Sequence, residues 1–144
     1  MSHDAVAHTH RLHDGDPHAA WLGITLVTAG EGRAEVTLTV ADHMLNVHGT
    51  CHGGVLFSLA DAAFQYACNS HGPVAVAAAA DIDFLAPVGP GTRLRAVATE
   101  RARRGRSGIY DVAVLAPDGS VVAEFRGRSR VLDRPPGPAD GDRR

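Results

Sequence analysis

The sequence predicts an α+β domain in which an antiparallel sheet curls around one long buried helix. Three observations carry this expectation. Apolar and polar residues alternate in AEVTLTV (residues 34–40) and, fully or nearly so, in four later segments. Residues 52–70 are apolar around most of a helical circumference, and the gaps between alternating segments are short and rich in Gly, Pro and Asp. Period-two alternation marks half-buried strands, a helix apolar nearly all round has to be enclosed, and short turns join antiparallel neighbours.

A chain of 144 residues suits one domain that can bury a real core. Hydrophobic residues at 44% and charged residues at 21% fit a soluble globular class. The formal net charge of -2 lacks the basic excess of nucleic-acid binders. The start, MSHDAVAHTHRLHDGDPH, has no apolar core of a secretory signal, and no later run is long enough to span a membrane, so a cytoplasmic location is the default expectation.

In chain order, residues 1–16 carry His3, His8, His10 and His13 without apolar periodicity, and are expected to form a flexible arm rather than a metal-binding tract. The domain proper is expected over 17–133, beginning with short irregular pieces around DPHAAWLGITLV. Strands follow at 34–40, 74–85, 92–100, 109–115 and 121–132. In the last, Glu124, Arg126, Arg128 and Arg130 oppose Phe125, Gly127, Ser129 and Val131. The turns APVGPG, RRGRSG and APDGS are expected to connect neighbours, and RPPGPADGDRR (134–144) reads as a disordered tail.

The helix of 52–70 opens on Gly53-Gly54 and ends before Gly72-Pro73. Its polar exceptions, Gly54, Ser58, Asp61 and Gln65, share one face. An ionised aspartate amid such apolar surroundings is costly unless it is paired or used. That face could meet solvent, or Asp61 could pair with an Arg. The loop ADHMLNVHGTCHGG, with His43, Asn46, His48 and His52 entering a buried helix, suggests a site instead. A helix start supplies unpaired N–H groups and the positive dipole end, a place for a developing oxyanion, and Gly53 and Gly54 allow close approach. Gly53 and Asp61 lie about 12 Å apart along the axis. One reacting carbonyl can meet both only if they come from two copies of the chain with antiparallel helices.

Other chemistries fit less well. His43, His48 and His52 lack the spacing of a metal site. Cys51 beside His52 is not a thiol–base pair, because neighbours in extended chain point opposite ways. Cys51 and Cys68 flank the helix some 25 Å apart, too far for a disulfide. Arg101, Arg103, Arg104 and Arg106 are expected at a solvated turn, with contact to the phosphates of a nucleotide-bearing ligand as the alternative.

The segments NVHGTCHGGVLFSLADAAFQYACNSHG, AVAAAADIDFLAPVGPG and SGIYDVAVLAPDGSVVAEFRGRSRVL resemble the hotdog-fold acyl-CoA thioesterases of phenylacetic acid degradation, over about residues 22–132. The resemblance implies a hotdog fold of about five to six strands, paired into dimers that associate as tetramers. It makes Asp61 the catalytic carboxylate and Gly53 the amide that polarises the thioester carbonyl, with His52 and Asn46 beside that carbonyl. Ser58, Gln65 and Gly54 would contact substrate or water. The implied reaction is hydrolysis of phenylacetyl-CoA or ring-hydroxylated phenylacetyl-CoA, with coenzyme A entering only as part of the substrate. Asp61 would act as general base or as nucleophile. A hotdog hydratase or dehydratase, and a non-catalytic acyl-CoA sensor, are the competing readings, and Leu45, Val47 and Phe64 are candidates for an aryl pocket.

Overall fold

The computed structural model describes residues 3–133, with side chains from residue 7 onward. The expected tail at 134–144 lies outside the described residues. Three α-helices, α1 (His3–Asp14), α2 (Pro17–Leu22) and α3 (Gly53–Asn69), and one 3-10 turn (Asp42–Met44) accompany six strands: β1 (Thr25–Gly30), β2 (Arg33–Thr39), β3 (Ala75–Phe84), β4 (Arg93–Arg104), β5 (Ser107–Leu115) and β6 (Val121–Val131). The strands form one sheet in the order β1-β2-β4-β5-β6-β3, antiparallel at every pairing. Register shifts in β1, β3, β4 and near the end of β5 bend it, since an extra residue in one strand increases local twist. The concave side wraps α3.

The core follows the alternation. Val36, Leu38, Leu94, Ala96, Val112, Val114 and Phe125 turn inward, while Glu124, Arg126, Arg128 and Arg130 face out. Leu56, Leu59, Ala60, Ala63, Phe64 and Tyr66 of α3 fill the space they enclose. Gly127 is inward-facing for a steric reason: a Cβ there would come within 2.7 Å of the Phe64 ring. Gly127→Ala is therefore expected to lower unfolding stability by about 1–3 kcal/mol through overpacking, as urea unfolding would measure, while Gly119→Ala probes only its left-handed turn.

Two expectations need correction. Residues 3–14 form α1 rather than a flexible arm. His8 and Thr9 are buried and Leu12 packs against the core, so α1 docks on β1 and α3. The face that α1 buries includes the polar His8 and Thr9 beside Leu12, so it does not read as an apolar stripe. The turn APVGPG does not connect neighbours either. β3 pairs with β6 at one edge of the sheet, whereas β4 lies between β2 and β5. The connection crosses beneath the start of α3, where Cys51 N–H donates to the Val88 carbonyl and Gly91 N–H to that of Val40. The irregular pieces at the start resolve into α2, with Asp16 as N-cap, Pro17 in the first turn and Gly23 in a left-handed C-cap, and the sixth strand, β1.

Candidate active site

The start of α3 is built by the loop before it. Asn46 organises that loop: its Oδ1 accepts from the N–H groups of His48 (2.9 Å) and Thr50 (3.1 Å), and its amide donates to Thr50 Oγ1 (3.0 Å). An isolated bridge between Leu45 and Cys51 closes the base. His52 is the N-cap, with Nδ1 accepting from Gly54 N–H at 3.0 Å. Gly54 thus serves the cap and is not an open donor: a Cβ at that position would lie 3.2 Å from the capping nitrogen.

Gly53 is different. Its N–H makes no hydrogen bond among the described residues, and a Cβ there would meet the Phe84 ring at 3.1 Å. Asn46, Gly53 and Leu56 with Phe84, Leu85 and Pro87 line a shallow cleft. An unpaired helix N-terminal amide at the floor of a cleft can bind a partial negative charge.

Asp61, two turns further along α3, opens into a second cleft of about 260 Å³ that Leu12, Phe64, Gln65, Cys68 and Val76 help to line. No Arg pairs with it among the described residues, and its carboxylate accepts no hydrogen bond from them. Burial chiefly, then the nearby Asp16 charge, raises its pKa above the ordinary carboxylate value, and His18 partly opposes this. A carboxylate left unpaired in a cleft, with raised basicity, is suited to take a proton.

Sequence reasoning placed Asp61, Ser58 and Gln65 on one face but missed what lies against it. Gln65 shares the Asp61 cleft. Ser58 instead bonds His18 Nε2 at 2.8 Å, tying α3 to α2. Tyr66 donates to Asp16 Oδ2 at 2.9 Å and lies 3.0 Å from His13 Nδ1. The cap-and-proline pattern of Asp16-Pro17 signals a helix start, but nothing local tells that it sits over Asp61. Of the aryl-pocket candidates, Phe64 reaches the Asp61 cleft, while Val47 is 93% exposed at the loop tip.

The remaining nucleophile and ligand candidates lie elsewhere. The Cys51 thiol is buried and pushed up to about 11 by desolvation, which leaves it protonated and inert. Among the described residues no group of three or more His, Cys, Asp or Glu could hold a metal ion, and no helix is long and apolar enough to cross a membrane. At the exposed β4–β5 hairpin Arg101 pairs with Asp111 at 3.4 Å and Arg106 with Asp133 at 2.6 Å.

A curled antiparallel sheet around one long buried helix defines the hotdog fold, and an open amide at the helix start with an unpaired carboxylate in its middle suits acyl-transfer chemistry. The chain belongs to the Thioesterase superfamily, which it matches over residues 48–123. It is 48% identical over 132 residues to the acyl-coenzyme A thioesterase PaaI of Escherichia coli K12, spanning 92% of this chain and 94% of that protein. The structure of E. coli PaaI, from the phenylacetic acid degradation operon, superposes with a TM-score of 0.90 at 46% identity, covering 93% of this chain and 97% of that one. A variant of the phenylacetic acid degradation protein PaaI from Thermus thermophilus matches with a TM-score of 0.78 at 39% identity, over 81% of this chain and 100% of its own.

Proposed function

We propose that this protein hydrolyses phenylacetyl-CoA, or ring-hydroxylated phenylacetyl-CoA, to the free acid and coenzyme A in a site shared by two copies of the chain. The observation that carries this reading is the separation of the two working groups: the free Gly53 amide and the Asp61 carboxylate open into different clefts of one chain. Edge strand β3 offers the means to join them. It is exposed along nearly its whole length, with Phe84 54% and Leu85 60% accessible at its end or just past it, and an open edge of this length invites pairing. Val76 and Ala77 at one end of β3 border the Asp61 cleft, and Phe84 at the other end borders the Gly53 cleft. Antiparallel pairing of β3 with the same strand of a second copy, about a two-fold axis, brings each Asp61 cleft to the other copy's Gly53 cleft.

In that site the Gly53 N–H holds the thioester carbonyl and stabilises charge as it develops on the oxygen. Asp61 of the other copy takes a proton from water, whose oxygen attacks the carbonyl carbon; as the C–S bond breaks, the departing thiolate takes that proton from Asp61, which restores the carboxylate. Direct attack by the carboxylate, giving a mixed anhydride that water then cleaves, uses the same geometry. His52 holds the helix start open by capping Gly54, and Asn46 fixes the loop beside it. The chemistry needs no cofactor beyond the coenzyme A of the substrate. A cavity of roughly 150 Å³ lined by apolar groups takes up benzene, so the larger, mostly apolar Asp61 cleft has room for an aryl ring and its methylene. Two such dimers would form the tetramer, with the cytoplasm as the place of action.

Thiol release tests the reading over a panel of phenylacetyl-, hydroxyphenylacetyl-, acetyl- and crotonyl-CoA. Free CoA is expected from the arylacetyl substrates first. A reversible change at the enoyl group without thiol would make the protein a hydratase, and saturable binding with neither would make it a sensor.

A further inference from the structure

One wall of the Asp61 cleft comes from outside the region that carries the family match. Leu12 of α1 lines the cleft together with Phe64 and Cys68 of α3 and Val76 of β3. Its position is fixed from both sides. His8 and Thr9, about one turn earlier, are buried. Immediately after it, His13 Nδ1 lies 3.0 Å from the Tyr66 hydroxyl, with the two rings edge to face at 5.4 Å. Asp16 accepts from the same hydroxyl and caps α2. These contacts hold the α1 backbone at Leu12 against α3.

We propose that Leu12 is a specificity-determining residue: α1 forms a wall of the acyl pocket, and the side-chain volume at position 12 sets how large an acyl group the enzyme accepts. This rests on the reading of the Asp61 cleft as the acyl pocket. The chemistry and the size selection are then carried by separate parts of the chain. Asp61 and Gly53 lie on α3, inside residues 48–123, whereas the wall lies on α1, outside them. The polar groups around Leu12 hold α1 in place and leave its methyl groups as the contact offered to the substrate.

The test compares kcat/KM for acetyl-, phenylacetyl- and 1-naphthylacetyl-CoA in the full-length protein. Leu12→Ala is expected to raise the naphthylacetyl-to-phenylacetyl ratio about tenfold, the lower end of what a changed methylene in an apolar pocket does; Leu12→Trp is expected to lower it. Loss of α1 docking alone would scale all three substrates together. A second measurement is independent of turnover: in methyl-labelled protein bound to S-(2-phenylethyl)-CoA, a non-hydrolysable thioether, the aromatic protons should show contacts to the Leu12 methyls. Unchanged substrate ratios in both variants, or no such contact in the bound protein, would overturn the proposal. If the wild-type protein releases no thiol from any substrate, the catalytic reading falls, and the methyl contact alone decides the role of Leu12.

Discussion

Asp61→Asn protein is expected to fold, to bind acyl-CoA and to lose on the order of 10²–10⁴-fold in turnover, the contribution of a positioned general base or more. Asn keeps the shape and removes only the proton-accepting charge. The carboxylate has no ion-pair partner among the described residues whose loss would confuse the result. Stopped-flow or steady-state thiol release measures it, with binding followed separately by calorimetry. Turnover near the wild-type level would remove Asp61 from the chemistry.

The raised Asp61 pKa makes the same substitution informative about stability. Between the unfolded pKa and the higher folded pKa the native state binds more protons than the unfolded state, so stability falls as pH rises through that window. Above it the unfavourable ionised form is present in full. Asp61→Asn is thus expected to melt at a higher temperature than wild type at neutral pH and to show little difference at acid pH, below both values. Activity should follow the opposite course, falling as pH drops through the folded pKa of Asp61. Equal melting temperatures at neutral pH would mean that Asp61 is as well solvated in the fold as outside it.

Gly53→Pro is the complementary experiment, expected to cost about 10²–10³-fold in kcat, the usual effect of losing one oxyanion donor. Proline suits this position unusually well. Gly53 is the first helical residue, where Pro is tolerated because its missing N–H has no helical partner. His52 before it already has φ -61° and ψ 137°, the extended conformation required ahead of proline. The ring would press on Phe84, so circular dichroism and the dimer mass should be checked alongside the rate. Mixing Gly53→Pro with Asp61→Asn provides the test of the shared site. In a heterodimer one site carries both defects and the other neither, so random exchange between two-fold dimers should restore about a quarter of wild-type activity. No recovery despite demonstrated subunit exchange would place both groups in one chain.

Much of this was legible in the residues. The alternation in 34–40, 92–100, 109–115 and 121–132 is the inner face of β2, β4, β5 and β6 because period two maps directly onto a sheet that is covered on one side. The all-round apolar surface of α3 required enclosure, and its length alone separated Gly53 from Asp61. β3 was recognisable as a strand, but its place was not. A turn such as APVGPG has no feature that distinguishes a hairpin from a crossover, and the position of β3 at the sheet edge beside β6 depends on pairings with residues some fifty positions later.

The division follows the range of the forces involved. Sequence by itself determined the local matters: which segments are strand or helix, that the long helix opens around His52-Gly53, and that a carboxylate sits where carboxylates are costly. Tertiary structure decided that the Phe84 ring, carried in at the end of β3, lies over Gly53 at the helix start. It also decided that Asp16, His18 and Leu12 gather over Asp61 from an N-terminal segment whose buried face includes the polar His8 and Thr9. Capping, periodicity and length act between neighbours along the chain, whereas burial, the field of one carboxylate on another and the walls of a cleft exist only once distant segments pack.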